Sequence, residues 1–233
     1  MTYRPSEPRK PILSGNAGSP AVTFSTKDFP GFSTKDLKAL ELYYSRQLTR
    51  HRKPEKRVGW QNAQSQRVRF EAFLLVGPLA GAKILDVGCG LGAFYGYLRE
   101  KRIRADYTGV DLFPGLIEEA GRVYPKAHFE VRNVFSRPFP AGSFDYAFLS
   151  GVFNMKVRDN WKYMKALLTL VLGQTRKAVA FNALNVEAGI RERNRFTVSP
   201  GDLVAFGRGL GVSRVHLMDH YHRLDLTLFL YKR

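Results

Sequence analysis

Cysteine is almost absent from this chain. Cys89 is the only one in 233 residues, so an intrachain disulfide is excluded. No apolar run reaches the roughly 18 residues of a membrane-spanning helix, and the N-terminus lacks the apolar core of a secretory signal. Acidic residues are also few, with 20 Asp and Glu against 37 Lys and Arg. We therefore expect a cytoplasmic protein that does not insert into a membrane.

The net charge of +17 raises the question of an anionic partner. Through Arg69 the chain carries 14 basic and 5 acidic residues, a net of +9 in under a third of its length. A nucleic acid or ribonucleoprotein partner would account for this excess. A solvated basic surface would account for it equally well, because no single block of Lys and Arg dominates. Both interpretations stay open.

The chain divides into three parts by composition. Residues 1–33 are rich in Pro, Ser, Gly and Thr, which predicts a disordered basic arm that is an inert tail, docks on an anionic partner or targets an organelle. Residues 34–78 predict a helical cap, with a basic stretch at 50–57 that is either a solvated linker or an acceptor-binding lid. Residues 79–233 predict the main domain.

A glycine-rich motif opens the main domain. The stretch KILDVGCGLGAF, residues 83–94, predicts a strand, a tight turn and the start of a helix. Glycines at alternate positions let backbone approach a ligand closely, which indicates a nucleotide-like molecule. The spacing is GxGxG, whereas dinucleotide-binding folds use GxGxxG. Asp86, at the strand end, would repel a diphosphate and suit an ammonium group.

A second acid follows about 20 residues later. The stretch DYTGVDL, residues 106–112, predicts another strand that ends in Asp111, a usual position for a carboxylate that accepts hydrogen bonds from ribose. One ligand satisfies both acids, since S-adenosylmethionine carries an amino acid at one end and adenosine at the other. We therefore predict S-adenosylmethionine as the cofactor.

Strand and helix patterns alternate through the main domain. This alternation predicts an α/β fold with a doubly wound parallel sheet. The last two apolar stretches, 212–218 and 224–231, are joined by only five residues, and so short a link requires an antiparallel hairpin.

Four stretches resemble the class I S-adenosylmethionine-dependent methyltransferases. They are ILDVGCGLGAF, YTGVDL, HFEVRNV at 128–134 and SFDYAFLSG at 143–151. The resemblance implies a Rossmann-like sheet of seven strands whose last strand is antiparallel, with the N-terminal helical part as an extension. It is specific for the cofactor and not for the methyl acceptor.

The resemblance also implies roles for the cofactor-binding residues. Asp86 would pair with the methionine ammonium, Asp111 would accept from the ribose hydroxyls, and Leu112 would press on one face of adenine. Asn133 stands where family members often carry an acid, and its amide oxygen would still accept from the adenine amino group. The remaining predicted cofactor contacts are Gly88, Cys89, Gly90, Val134 and Ser150. Cys89 is expected to be a small packing residue rather than a nucleophile.

The acceptor side is predicted more loosely. Candidate catalytic residues are Asn154, His220 and His222. The two histidines have HxH spacing but no third ligand, so no metal is predicted. A polar turn would also explain both histidines. Candidate acceptor-cleft residues are Trp60, Gln66, Arg69, Phe153, Asn154 and Asn182. Methyl transfer would go to a nitrogen or oxygen nucleophile.

Two function classes follow from these residues. The first is a methyltransferase of a small molecule or of RNA or a ribonucleoprotein; the absence of an NPPY-type tetrapeptide after the fourth strand disfavours amino-methylation of DNA bases. The second is a catalytically silent, methyltransferase-like RNA-binding or assembly factor. Retention of both Asp86 and Asp111 argues against the second class, since a scaffold has no need of either acid.

Overall fold

The computed structural model describes Thr26, residues 29–60 and residues 62–232. Its centre is an eight-stranded sheet. The strands are β1 Lys83–Val87, β2 Asp106–Asp111, β3 His128–Val131, β4 Phe144–Leu149, β5 Thr175–Asn185, β6 Thr197–Val198, β7 Arg214–Met218 and β8 Asp225–Tyr231. Seven of them follow the order β3-β2-β1-β4-β5-β8-β7, and β6 pairs with β5 off this path.

The strand directions agree with the sequence prediction. Strands β1 to β5 run parallel, while β8 is antiparallel to both β5 and β7. The doubly wound sheet with a reversed last strand is therefore confirmed. The short β6 is the difference from the predicted seven strands, and its two residues pair in parallel with the end of β5.

Seven α-helices surround the sheet in the described part of the chain. They are α1 Thr34–Arg50, α2 Pro54–Arg57, α3 Ala63–Phe73, α4 Ala93–Glu100, α5 Pro114–Val123, α6 Asn160–Gln174 and α7 Pro200–Arg208. Their starts are set by local chemistry: Ser33 and Asp36 form a capping box on α1, and Pro114 and Pro200 occupy the first turns of α5 and α7. No helix of the described residues is both long and apolar enough to cross a bilayer.

Apolar side chains pack on both faces of the sheet. One large cluster joins α6 and α7 to the sheet through residues such as Met164, Leu168 and Leu203. The other joins α3 and α4 to the opposite face through Phe73, Phe94 and neighbouring strand residues. Burial on both faces is what a parallel sheet needs, and it leaves the carboxyl ends of β1, β2 and β4 as the open edge.

The N-terminal parts meet this open edge. Of the predicted arm at 1–33, the structure describes only Thr26 and residues 29–33, and Phe29 among them is buried. Phe32 packs edge-on against Tyr163 of α6. The backbone N–H of Arg158 donates to the Asp36 carboxylate at 3.1 Å, which fixes the start of α1 beside α6. The boundaries of the three predicted parts stay a prediction.

Candidate functional site

The glycine-rich loop after β1 is held against β2 by backbone hydrogen bonds. The N–H groups of Gly88 and Cys89 donate to the Val110 carbonyl at 2.8 and 3.0 Å. The Gly90 N–H donates to Oδ2 of Asp111 at 2.9 Å. The loop and the ends of both strands therefore form one rigid unit.

Glycine is required at two points of this loop. Gly88 has φ +73° and a Cβ there would lie 2.8 Å from Cγ2 of Val152; Gly90 has φ +56° and a Cβ would lie 3.0 Å from Cγ1 of Val58. A side chain at either position would be strained and would fill the space in front of the strand ends. The loop thus leaves a backbone-lined cradle.

Asp86 is a buried carboxylate at the end of β1. The Tyr107 hydroxyl donates to its Oδ2 at 2.6 Å. Burial raises the pKa of Asp86 to about 7, and the nearby charge of Asp111 acts in the same direction, while the hydrogen bond from Tyr107 opposes them. A cation in front of Asp86 would favour its ionised form.

Asp111 organises the loop as well as facing the cleft. Besides accepting from Gly90, it accepts from the Phe113 N–H through Oδ1 at 3.1 Å. Burial raises the pKa of this carboxyl, and the backbone hydrogen bonds lower it. Each carboxylate oxygen has two lone pairs, so both can accept a further hydrogen bond from a ligand.

Two adjoining chambers open at this edge, and both touch Gly88, Asp111 and Ser150. The first encloses about 710 Å³ and the second about 860 Å³, open solvent included. Tyr44 of α1 also lines both, so α1 forms a roof over the junction.

The structure brings the predicted cofactor contacts together at these chambers. The first chamber is lined by Asp86, Gly88, Cys89, Gly90, Asp111 and Ser150. The second is lined by Gly88, Asp111, Leu112, Asn133, Val134 and Ser150. The Asn133 amide oxygen already accepts from the Phe135 N–H at 2.9 Å, which turns the chain after β3.

Cys89 is buried in the loop. Burial raises the pKa of its thiol well above the usual value, and the charges of Asp111 and Asp86 act in the same direction. Such surroundings disfavour the thiolate that a nucleophile needs. The residue therefore has the environment of a packing residue.

A third chamber of about 1070 Å³, open solvent included, adjoins the first. The two share Gly59, Trp60, Asn154 and Arg195. Among the predicted acceptor residues, Trp60 and Asn154 line both chambers, Gln66 lines the first and Arg69 lines the third.

Two predicted acceptor residues lie elsewhere. Phe153 is 1% exposed and packs against Tyr163 and Phe181, because Gly151 with φ +76° turns the chain so that Asn154, not Phe153, faces the cleft. Asn182 is fully buried behind Ser150. It accepts from the Ser150 hydroxyl at 3.2 Å and donates to Thr227 at 2.7 Å.

Neither candidate histidine lines the three chambers. The side chain of His220 is 96% exposed beside Asp219. Nδ1 of His222 lies 2.6 Å from a carboxylate oxygen of the buried Asp225, which is also paired with Arg69. Neither histidine is therefore positioned for proton transfer in the cleft. In the described part of the chain, no cluster of three His, Cys, Asp or Glu is placed to hold a metal ion.

Several cleft residues were missed by sequence reasoning. Tyr43 and Tyr44 of α1 line the first chamber, as do Met155 and Arg195. The helical spacing of Leu37, Leu40 and Tyr44 in the sequence indicates that Tyr44 packs with the other two, but it does not indicate that Tyr44 lies over the cleft. Arg195 had no signal at all, because a contact between distant parts of the chain positions it.

Comparisons with known sequences agree with this geometry. Residues 84–172 match the sequence model of the family described as "Methyltransferase domain". Over 108 residues the chain is 30% identical to a Mycobacterium tuberculosis protein that carries the provisional name of a methyltransferase. That match covers 43% of this chain and 62% of the relative, so it spans about three fifths of the relative's length.

Solved structures show the same fold. The DhpI complex with SAM and HEP matches with a TM-score of 0.65 at 19% identity, over 84% of this chain and 98% of that chain. Magnesium protoporphyrin IX methyltransferase from Synechocystis PCC 6803 with bound SAM matches with a TM-score of 0.57 at 13% identity, over 85% of this chain and 94% of that chain. Residues 84–172 therefore match a methyltransferase domain family, and the chain has the Rossmann-like fold of class I S-adenosylmethionine-dependent methyltransferases.

Proposed function

We propose that this chain binds S-adenosylmethionine and transfers its methyl group to a nitrogen or oxygen nucleophile of an acceptor. One observation carries the proposal: Asp86 and Asp111, from the ends of adjacent strands, face the same chamber as the glycine cradle at Gly88 and Gly90. Two carboxylates beside open backbone suit a ligand with an ammonium group and vicinal hydroxyls.

The two chambers fit the two halves of such a cofactor. The Asp86 carboxylate in the first chamber would pair with the ammonium group, and Asp111 at the junction would accept from the ribose hydroxyls. The second chamber offers apolar walls from Leu112 and Val134 for an adenine ring, with Asn133 at its edge. The residues present therefore fit S-adenosylmethionine.

The protein's contribution to methyl transfer would be position and exclusion of water. When bound, S-adenosylmethionine would supply a methyl group on a sulfonium: the acceptor's lone pair would form the new bond to carbon as the carbon–sulfur bond broke, S-adenosylhomocysteine would leave, and the nucleophile's proton would pass to bulk water. Tyr44 and Trp60 cover the first chamber, and Asn154 stands where it meets the third. Asn154 would orient the acceptor there without itself taking a proton.

A catalytically silent binding or assembly factor is the second candidate. It is favoured by one observation, that no histidine of the described residues lines the three chambers. Against it, the intact acids and loop would serve no purpose in a scaffold. For the methyltransferase, the acceptor is either a small molecule or an RNA or ribonucleoprotein. We also propose a cytoplasmic location.

Calorimetric titration tests the proposal directly. We expect S-adenosylmethionine and S-adenosylhomocysteine to bind with micromolar affinity at one site per chain, and NAD to show no heat. The GxGxG spacing and Asp86 explain why a diphosphate ligand fails. Absence of binding by both sulfur compounds, with the protein folded by circular dichroism, would favour the silent factor.

A further inference from the structure

The third chamber is rich in arginine. Its lining contains four arginines and one acidic residue: Arg69, Arg191, Arg195, Arg223 and Glu192. Arg69 is paired with the buried Asp225, so its charge is balanced within the protein. The other three arginines form no ion pair with a described residue, which leaves the chamber with an excess of positive charge.

Arg195 connects the arginines of the third chamber with the first chamber. It lines both the first and the third chamber. Its backbone is fixed by an antiparallel bridge to Met155, flanked by hydrogen bonds from Phe196 N–H to Asn154 O at 3.1 Å and from Lys156 N–H to Asn194 O at 2.8 Å. The backbone that carries this side chain is therefore fixed at the chamber wall, and a guanidinium is well suited to bind an oxyanion.

Asn154 adds a second, independent observation at the same junction. Its side chain is 9% exposed, and its Oδ1 is buried without a hydrogen-bond partner among the described residues. A buried amide oxygen without a donor is costly, which is explained when a ligand supplies the donor. A hydroxyl or amine N–H of an acceptor would do so.

Resting on the proposed function, we propose that the acceptor is a small molecule that carries both an oxyanion, carboxylate or phosphoryl, and a neutral hydroxyl or amine. Arg195 and Arg223 bind the oxyanion in the third chamber, with Arg191 at the rim. Asn154 Oδ1 accepts from the nucleophile's O–H or N–H at the junction with the first chamber. The acceptor thus spans from the arginines to the cofactor chamber.

The placement of the charges favours a small anion over RNA. The three arginines without an ion pair to a described residue share one chamber with the unpaired amide oxygen of Asn154, so one molecule of modest size reaches both. A polynucleotide would need a basic track along its backbone that continues beyond this chamber.

Tryptophan fluorescence offers a direct test. The chain has two tryptophans, and Trp161 packs on Phe196 and Phe206, so Trp161→Phe leaves Trp60, in the chamber wall, as the sole reporter. This protein is titrated with inorganic phosphate and separately with acetate, with chloride adjusted to constant ionic strength and S-adenosylhomocysteine at saturation. We expect a saturable signal with one or both anions.

Matched variants show where the anion binds. Arg195→Gln and Arg223→Gln should each weaken the anion by about tenfold or more, as expected for the loss of charge-assisted hydrogen bonds. Arg208→Gln, which removes an exposed charge at the end of α7, should leave it unchanged. A signal that both chamber variants leave intact would overturn the proposal, as would absence of any signal.

Turnover distinguishes the anion classes and RNA. Methyl transfer is measured with hydroxy- and amino-carboxylates, with phosphate monoesters and with the neutral ester of each. We expect transfer to one anionic class, little to its ester, and a fall in kcat/KM in Arg223→Gln with the KM for S-adenosylmethionine unchanged. Methyl transfer to RNA alone would overturn the proposal of a small anionic acceptor. Binding of S-adenosylhomocysteine without binding of either anion would also overturn it, but would leave the proposed methyltransferase function standing.

Discussion

The surroundings of Asp86 raise the pKa of its carboxyl. Its carboxyl lies within the protein at the end of β1, with Tyr107 donating to it and Asp111 nearby. Burial raises its pKa from 3.8 to about 7. Between pH 3.8 and about 7, the folded protein therefore holds a proton on Asp86 that the unfolded chain has already released.

The first prediction concerns the pH dependence that follows. Because the folded pKa lies above the unfolded one, the ligand-free protein should lose stability as the pH rises from about 4 through 7. A ligand ammonium prefers ionised Asp86, so binding of S-adenosylhomocysteine should strengthen with rising pH up to about 7 and release a proton below it. Calorimetry in buffers of different ionisation enthalpy measures that release.

Asp86→Asn is the control for this prediction. The amide oxygen can still accept from Tyr107, so the fold should persist, but nothing titrates at this position. The variant should bind more weakly, with no proton release and no slope over the same pH range. Equal proton release in variant and parent would assign the titration to another group.

Asp111 has two tasks, and the second prediction separates them. Asp111→Ala should weaken S-adenosylhomocysteine by an order of magnitude or more, since it removes charge-assisted hydrogen bonds of roughly 1.5–3 kcal/mol. It should also lower the melting temperature, because the Gly90 and Phe113 N–H groups lose their acceptor. Asp106→Ala, at the exposed start of the same strand, should change neither. Parent-like affinity in Asp111→Ala would contradict the assignment.

At the scale of elements, α3 and β8 are joined by a buried ion pair. Arg69 of α3 is paired with Asp225 at the start of β8, and their side chains are 3% and 0% exposed. The guanidinium also lies 4.2 Å from the centre of the Trp60 ring. This pair therefore links the sheet to the wall of the first and third chambers.

The third prediction follows from that burial. Asp225→Ala should cost about 3–5 kcal/mol in urea unfolding, because it leaves the buried guanidinium without a counter-charge. Replacing both partners, as Arg69→Met with Asp225→Ala, should recover part of the loss. Glu100→Ala, which breaks the exposed pair with Arg67, should cost much less. Additive losses in the double variant would show that the two residues do not interact.

The final hairpin shows why the two candidate histidines do not line the three chambers. Its loop does reach the open edge of the sheet, since Asp225 pairs with Leu184 near the end of β5. Within the loop, however, His222 turns to Asp225 and His220 to solvent, while the next residue, Arg223, lines the third chamber. The sequence places the loop, but only tertiary contacts decide which side chain faces the cleft.

Across the whole molecule, local signals predicted more than distant contacts did. The strand-end acids and the glycine loop are encoded within short stretches, so the sheet, its order of elements and the cofactor side followed from the sequence. Side-chain caps set where elements begin: α6 begins at Asn160 because Asp159 accepts from the Lys162 N–H at 2.9 Å. The α1 roof and Arg195 depend on contacts between segments far apart in sequence, which no local pattern reveals.

The net charge belongs to the whole molecule and carries the last prediction. With +17, the chain should bind a labelled oligouridylate weakly and without sequence preference, and its affinity should fall steeply between 50 and 200 mM salt, by about a hundredfold or more. Turnover of a small anionic acceptor should fall far less over the same range, because few ions are displaced. Fluorescence anisotropy and methyl transfer, measured side by side, give the two slopes. If the two salt dependences were equal, the charge of the whole surface would contribute to acceptor binding, which would favour a nucleic acid acceptor. If they differ, the third chamber selects the acceptor.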